Sequence, residues 1–389
     1  MNLERTVFAQ VMGHAPHKAF QGCVARYPGV RRARRFTCWD RFLCMVFAQL
    51  TYRESLRDIE ACLGAVPERL YHMGIRSTIS RATLADANEK RDWRIYADFA
   101  QVLIAEARRL YAGDHFGVAL EETVYALDST TIGLCLSLFP WAPFRRTKGG
   151  IKLHTLLDLK GSIPSFLRLT PARTSDVSLL DELPLEAGAI YVMDRGYVDF
   201  ARLHRFTRAQ ASFVVRAKKN LRFQRRYSHK VDRSTGLICD QTLMLVTPRS
   251  LEGYPEPLRR VRSRDSETGK RVTLLTSNFR FSAWEIAELY RCRWQVELFF
   301  KWIKQHLRIK AFYGTSDNAV RTQIWIAISA YVLVAILKKR LQCELNLYTM
   351  LQILSVSLFE KVELAQAFSS AKSRMSEEAT CNQLQLFDF

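Results

Sequence analysis

The hydrophobic pattern of this chain changes period near residue 122, and that change limits what the chain can fold into. Before it, apolar residues recur at helical spacing in Trp39–Gln49, Ser55–Leu63 and Arg91–Tyr111. After it come short runs rich in Val, Ile, Leu and Phe: Thr123–Leu127, Lys152–Leu159, Ser165–Leu169, Ala189–Met193 and Ser212–Val215. Turn residues such as Gly149-Gly150, Lys160-Gly161 and Gly188 separate them. Phe200–Ala209, between the last two runs, predicts a helix. Helices followed by strands with interposed helices predict a helical N-terminal domain over residues 1–115 and then a mixed α/β core.

From Arg216 to Arg271 the composition shifts again, with fifteen Lys or Arg against six Asp or Glu, a net +9. Gln241–Val246 and Val272–Thr276 predict strands within it, so residues 216–280 form a basic β-rich insertion. Residues 283–310 predict helix, and 346–389 a C-terminal helix and polar tail. The whole chain carries 58 Lys plus Arg against 38 Asp plus Glu, a formal charge of +20. At 48% hydrophobic residues it is no disordered polybasic tail. A polyanion is the first partner to expect, and nucleic acid ranks ahead of membrane because no basic amphipathic anchor stands out. Arg31, Arg32, Arg34 and Arg35 form a basic knot that suits either a small DNA-binding module or a solvated loop.

Targeting signals point the same way. Glu4, Arg5, His14, His17, Lys18 and Arg26 interrupt any apolar run a signal peptide needs. The longest apolar stretch, Ile324 to Leu337, is short for a bilayer span and predicts a buried helix. Nine cysteines, none spaced CxxC, support neither a zinc ribbon nor a disulfide framework, and a reducing cytoplasm fits.

Two aspartates sit where a metal enzyme wants them. Asp128 ends Val124-Tyr125-Ala126-Leu127, and Asp194 ends Ile190-Tyr191-Val192-Met193. A carboxylate at a strand end is held rigidly at the rim of a sheet, where Mg²⁺ can reach it; singly, each also suits a turn or N-cap. Downstream, Arg293, Glu297 and Lys304 follow Tyr290 at offsets of 3, 7 and 14. At about 100° per residue these fall within an arc of roughly 60° on one helix face. Val296, Phe299, Trp302 and Ile303 fall on the other side. The face is either a solvated one with an Arg293–Glu297 pair or a functional cluster. Three carboxylates can hold two divalent ions about 4 Å apart for phosphodiester transfer, while nearby bases clamp phosphates.

Tyr290, Arg293, Glu297 and Lys304 match without a gap the Y-(2)-R-(3)-E-(6)-K signature of DDE transposases of the IS4 insertion-sequence family, which the chain resembles over most of residues 120–345. Asp194-Arg195-Gly196-Tyr197 is similar to the family's second-aspartate motif and Leu127-Asp128-Ser129-Thr130 to its first. The Lys152-Leu153-His154 strand and the acid spacings of 66 and 103 residues also fit. Phe36–Leu63 is similar to a helical domain found ahead of such cores.

The resemblance implies an RNase H-like catalytic domain over 120–345 with the 216–280 insertion inside it. It implies Asp128, Asp194 and Glu297 as ligands of two Mg²⁺ or Mn²⁺ ions. Tyr290, Arg293, Trp294 and Lys304 would contact transposon-end DNA, with target DNA as second substrate and a homodimer in the synaptic complex, in the bacterial cytoplasm at the nucleoid. For Trp294 a core tryptophan is an equal reading. Some relatives place another tryptophan on the strand shortly before this helix to stack an extruded base; Val272–Thr276 has none, and Trp284 or Phe281 are the substitutes at hand. Asp158 is expected to be a turn residue, His154 a core histidine and Trp325–Leu337 core packing. Two further classes share these motifs: a nuclease that cuts without joining, and a silent DNA-binding descendant of a transposase.

Overall fold

The computed structural model describes residues 5–27, 36–76, 78–118, 120–145, 148–264, 269–306 and 312–369. The arginine knot at 31–35 and the tail from 370 lie outside them. The chain divides into two compact units, Met1–Leu110 with Lys301–Phe389, and Tyr111–Phe300.

The first unit is helical: α1 (Val7–Met12), α2 (His17–Ala25), α3 (Cys38–Leu50), α4 (Leu56–Gly64), α5 (Pro67–Leu70), α6 (Arg81–Lys90) and α7 (Arg94–Tyr111). Capping boxes start α3, between Thr37 and Asp40, and α4, between Ser55 and Asp58. Each cap satisfies backbone N–H groups the helix leaves open and contributes about 1 kcal/mol. Phe20, Phe42 and Phe99 pack edge to face or tilted beneath Trp39. Buried Arg41 donates from Nε to Asn88 Oδ1 at 3.0 Å and stacks its guanidinium over Tyr96. Late in the chain, α12 (Asp317–Arg340) and α13 (Leu347–Ser357) complete this unit. The apolar run expected to be a buried helix lies in α12, and 94% of its most apolar 18-residue stretch is inside the protein.

The second unit is built on one ten-stranded sheet: β1 (Val124–Leu134), β2 (Pro143–Arg145), β3 (Lys148–Asp158), β4 (Ile163–Pro171), β5 (Ile190–Met193), β6 (Ser212–Arg216), β7 (Phe223–His229), β8 (Leu237–Leu245), β9 (Leu258–Arg264) and β10 (Arg271–Thr276). β3 runs antiparallel between β1 and β4, β5 pairs parallel to β1, and β6 pairs parallel to β5. The order β4-β3-β1-β5-β6, with only β3 reversed, is that of an RNase H-like core. Parallel pairing requires a crossover, and α8 (Phe200–Arg208) supplies the one between β5 and β6. Its Leu203 and Phe206 pack with Tyr125, Leu127, Tyr191, Met193, Phe213 and Val215 on one face of the sheet. β5 is buried on both faces, which is why it reads as a continuous apolar run.

β10 pairs antiparallel with β6 and carries the sheet outward through β9 and β8 to β7, with α9 (Pro248–Gly253) between β8 and β9. In this extension Asp240 and Arg259 form a buried ion pair through two bonds of 2.9 and 2.8 Å. The extension rejoins the core through α10 (Ala283–Cys292), which follows β10, and α11 (Trp294–Lys301).

Three local expectations change. β7 and β9, Phe-Gln-Arg-Arg-Tyr-Ser-His and Leu-Arg-Arg-Val-Arg-Ser-Arg, escape sequence reading because arginines mask their alternation. Asp128 does not end its strand: β1 runs on to Leu134 because β3 pairs with it through Gly149, whereas parallel partner β5 stops at Met193. The 283–310 helix is not one rod. α10 ends at Cys292, α11 begins at Trp294, and Trp302–His306 forms a π-helical turn.

Candidate active site

The site begins with register. Leu127 of β1 pairs with Met193 of β5, so the next residue on each, Asp128 and Asp194, stands where the parallel pairing ends. In α/β sheets that rim, outside the carboxyl ends of parallel strands, is where ligands are taken. A capping box between Ser282 and Glu285 starts α10, and the helix brings Tyr290 to this rim. There the Tyr290 hydroxyl donates to Asp194 Oδ1 at 3.2 Å.

Arg293, at the break between α10 and α11, joins the remaining acids. Its Nη1 donates to Asp128 Oδ2 at 2.8 Å and its Nη2 to Glu297 Oε1 at 2.7 Å. Its guanidinium carbon lies 5.7 Å from the Tyr290 ring centre. The structure therefore brings Asp128, Asp194, Tyr290, Arg293 and Glu297 into one cluster. Lys304 lies half-buried in the π-helical turn Trp302–His306, within the helical unit. Trp294 is 52% exposed, which removes the core reading of that residue. Trp284 is also exposed, on the first turn of α10, while the Phe281 carbonyl accepts from Arg259.

Electrostatics agree with a crowded acidic site. Burial raises the pKa of Asp128, and the charges of Glu297 and Asp194 add to it, against the Ser129 N–H and Arg293. For Arg293 burial opposes the charge, but Tyr290, Asp128 and Glu297 outweigh it and hold the guanidinium pKa above its ordinary value. Burial also raises the Tyr290 phenol, helped by Asp194 and opposed by Arg293 and Arg216.

Three carboxylates are the hard oxygen donors that Mg²⁺ or Mn²⁺ prefers, so the donor set fits such ions. Among the described residues, however, no three acidic, His or Cys side chains converge as a ready cage. The Arg293 guanidinium instead spans Asp128 and Glu297 with its positive charge. A cation at these oxygens competes with that guanidinium.

The residues weighed against these fall where expected. Asp158 closes β3 and accepts the Lys160 backbone N–H at 3.0 Å, as a turn residue does. His154 has a fully buried side chain, with Nε2 2.9 Å from Thr170 Oγ1. Burial drives its pKa down to about 4, so it is neutral at physiological pH. His154 pairs with Ser129, on the sheet face opposite Asp128. There Ser129 Oγ donates to Asp176 Oδ1 at 2.6 Å, and Lys152 Nζ lies 3.0 Å from the same oxygen. Sequence reading missed Asp176 because it sits in a short helical turn, Asp176–Asp181, with no motif around it.

Residues 119–333 match the family described as Transposase DDE domain, and residues 4–76 match a domain of unknown function, DUF4372. The chain is 33% identical over 285 residues to a Sinorhizobium fredii protein named as transposase y4zB, covering 72% of this chain and 78% of that one. It is 34% identical to the transposase named for insertion sequence element IS5377 of Geobacillus stearothermophilus, over 53% of this chain and 54% of that one. To the transposase named for element IS4SA of Synechocystis it is 22% identical, over 73% and 80%. A solved structure of the piggyBac transposase synaptic complex with hairpin DNA superposes with a TM-score of 0.45 at 11% identity, covering 97% of this chain and 84% of that one. With more than half its length matched, the chain belongs to the Transposase DDE domain family, as a transposase of the IS4 type that its motifs resemble.

Proposed function

We propose that this protein is a cut-and-paste DNA transposase in which Asp128, Asp194 and Glu297 hold two Mg²⁺ or Mn²⁺ ions. The observation that carries this reading is the single cluster formed by these acids with Tyr290 and Arg293, residues that lie up to 169 positions apart in sequence. Bound divalent ions would supply an activated water or 3′-hydroxyl and would stabilise the leaving oxygen. Asp128 and Asp194, fixed by register on neighbouring strands, set the separation of two ligands, and Glu297 on α11 adds the third. Arg293 is a bidentate donor and carries over from carboxylates to DNA phosphates without a change of chemistry. Tyr290 donates a hydrogen bond to a phosphate, Lys304 pairs with one, and the exposed Trp294 stacks beside the site.

Residues 120–345 would then be the catalytic domain with the 216–280 insertion, and 1–115 a DNA-binding domain. The 346–389 segment would be an accessory helix and tail. The protein would act on transposon-end and target DNA as a homodimer in the synaptic complex, at the nucleoid. The deciding experiment uses Glu297→Ala: cleavage of end DNA is lost while end binding stays nearly intact. Full cleavage by that variant sinks the assignment. Strand transfer with pre-cut ends separates joining from cutting alone.

A further inference from the structure

Strands β7–β10 have two unlike faces. Side chains two apart on a strand share a face, and so do register partners. On β9 this places Arg260, Arg262 and Arg264 together. Arg271 of β10 pairs directly with Arg264, and Thr273 with Arg262. Arg225 of β7 joins the same face through Leu243, which is the register partner of both Arg225 and Leu258. Five arginines thus share one face, and among the described residues of these strands no Asp or Glu does. Asp240, the acid of β8, faces the other way and is held by Arg259.

Stability does not account for this face. Like charges directly opposite on neighbouring strands repel, as Arg264 and Arg271 do, and both are exposed. Arg225 is exposed too. Arg262 has a buried Nε with no hydrogen-bond partner. Arg260 is braced over the Phe223 ring at 5.2 Å and bonded to Gln241 Oε1 at 2.7 Å. A rigid sheet therefore presents planar, permanently charged donors whose charge no Asp or Glu among the described residues of these strands balances. A row of phosphates would balance it.

We propose that this arginine face binds target duplex DNA through its phosphates, without reading sequence. The inference rests on the transposase reading and adds a second DNA surface to it. The face is not an extension of the carboxylate site: the Arg259 side chain, on the opposite face of the same strands, reaches the Phe281 carbonyl just ahead of α10. Phosphate contacts position DNA but carry no sequence information, and the side-chain oxygen of Gln241, an amide able to read a base, is already taken by Arg260. Of the two DNA substrates proposed above, target DNA is the one that does not carry the transposon-end sequence.

The test is fluorescence anisotropy of the full-length protein with a 30-base-pair duplex of random sequence across a salt series. In Arg264→Ala/Arg271→Ala, affinity falls at least about tenfold near 100 mM salt. The slope of log K against log salt drops by about 2, at roughly 0.9 per phosphate contact. The melting temperature stays level or rises, because a repulsive pair is gone, and Arg264→Lys/Arg271→Lys keeps most of the binding. Unchanged affinity and slope in the alanine variant overturn the proposal. So does tighter wild-type binding of single-stranded RNA with the same losses, since that makes RNA the occupant. Glu297→Ala retains random-duplex binding, so a failed cleavage assay and a failed binding assay point to different readings.

Discussion

Arg293 is expected to compete with metal for the carboxylates it now bridges. Removing it in Arg293→Ala frees Asp128 Oδ2 and Glu297 Oε1. The Asp128 bond is the stronger: both side chains are largely shielded, at 16% and 22% exposure, and a charged hydrogen bond of that kind is worth roughly 1.5–3 kcal/mol. The Glu297 partner is 57% exposed and four residues along the chain, so that bond adds only about 0.3–0.5 kcal/mol. Together they oppose metal by about 2 kcal/mol, or roughly 30-fold in affinity at 1.4 kcal/mol per tenfold. Mn²⁺ titration of the DNA-free protein, followed by electron paramagnetic resonance or calorimetry, reads this directly. Arg293→Ala should bind Mn²⁺ more tightly by about that factor, and Arg293→Ala/Asp128→Asn should lose the gain. Equal or weaker Mn²⁺ binding in Arg293→Ala would falsify the competition, and no binding in either protein would remove the metal site itself.

Acid lability follows from His154. Its folded imidazole stays neutral down to about pH 4 while an unfolded one protonates near 6.5, so its contribution is complete above 6.5 and is lost as pH falls toward 4. The difference of about 2.5 units corresponds to about 3 kcal/mol, and urea titrations of wild type and His154→Gln across that window should differ by most of it. Gly161 has φ +76°, and an added Cβ would stand 2.2 Å from the Tyr111 ring. Gly161→Ala should therefore cost about 2–4 kcal/mol in denaturant unfolding, and a loss under 1 kcal/mol contradicts the packing at that turn. Trp294→Ala should leave stability within about 0.5 kcal/mol because the ring is exposed. If the indole stacks on DNA, the same change weakens end binding by roughly tenfold, and intact binding removes it from the DNA surface.

The sequence alone determined the strands that are buried on both faces and the helices with a clear stripe. β5 is legible as Ile-Tyr-Val-Met because a doubly covered strand must be apolar throughout. The candidate acids were legible for a related reason: a charged residue immediately after such a run marks the rim of a sheet. The Tyr290-to-Lys304 spacing carried the family resemblance. Spacing on an ideal helix assumes one unbroken rod, so it could not show that the rod breaks at Arg293 and turns π-helical at Trp302. Nor could it pair Tyr290 with Asp194 or place Arg293 between Asp128 and Glu297. The +9 segment was visible as composition, but charge has no direction in a sequence. Only strand register turned it into one face of arginines and another that buries Arg259 against Asp240, since pairing decides which side of a sheet each residue meets.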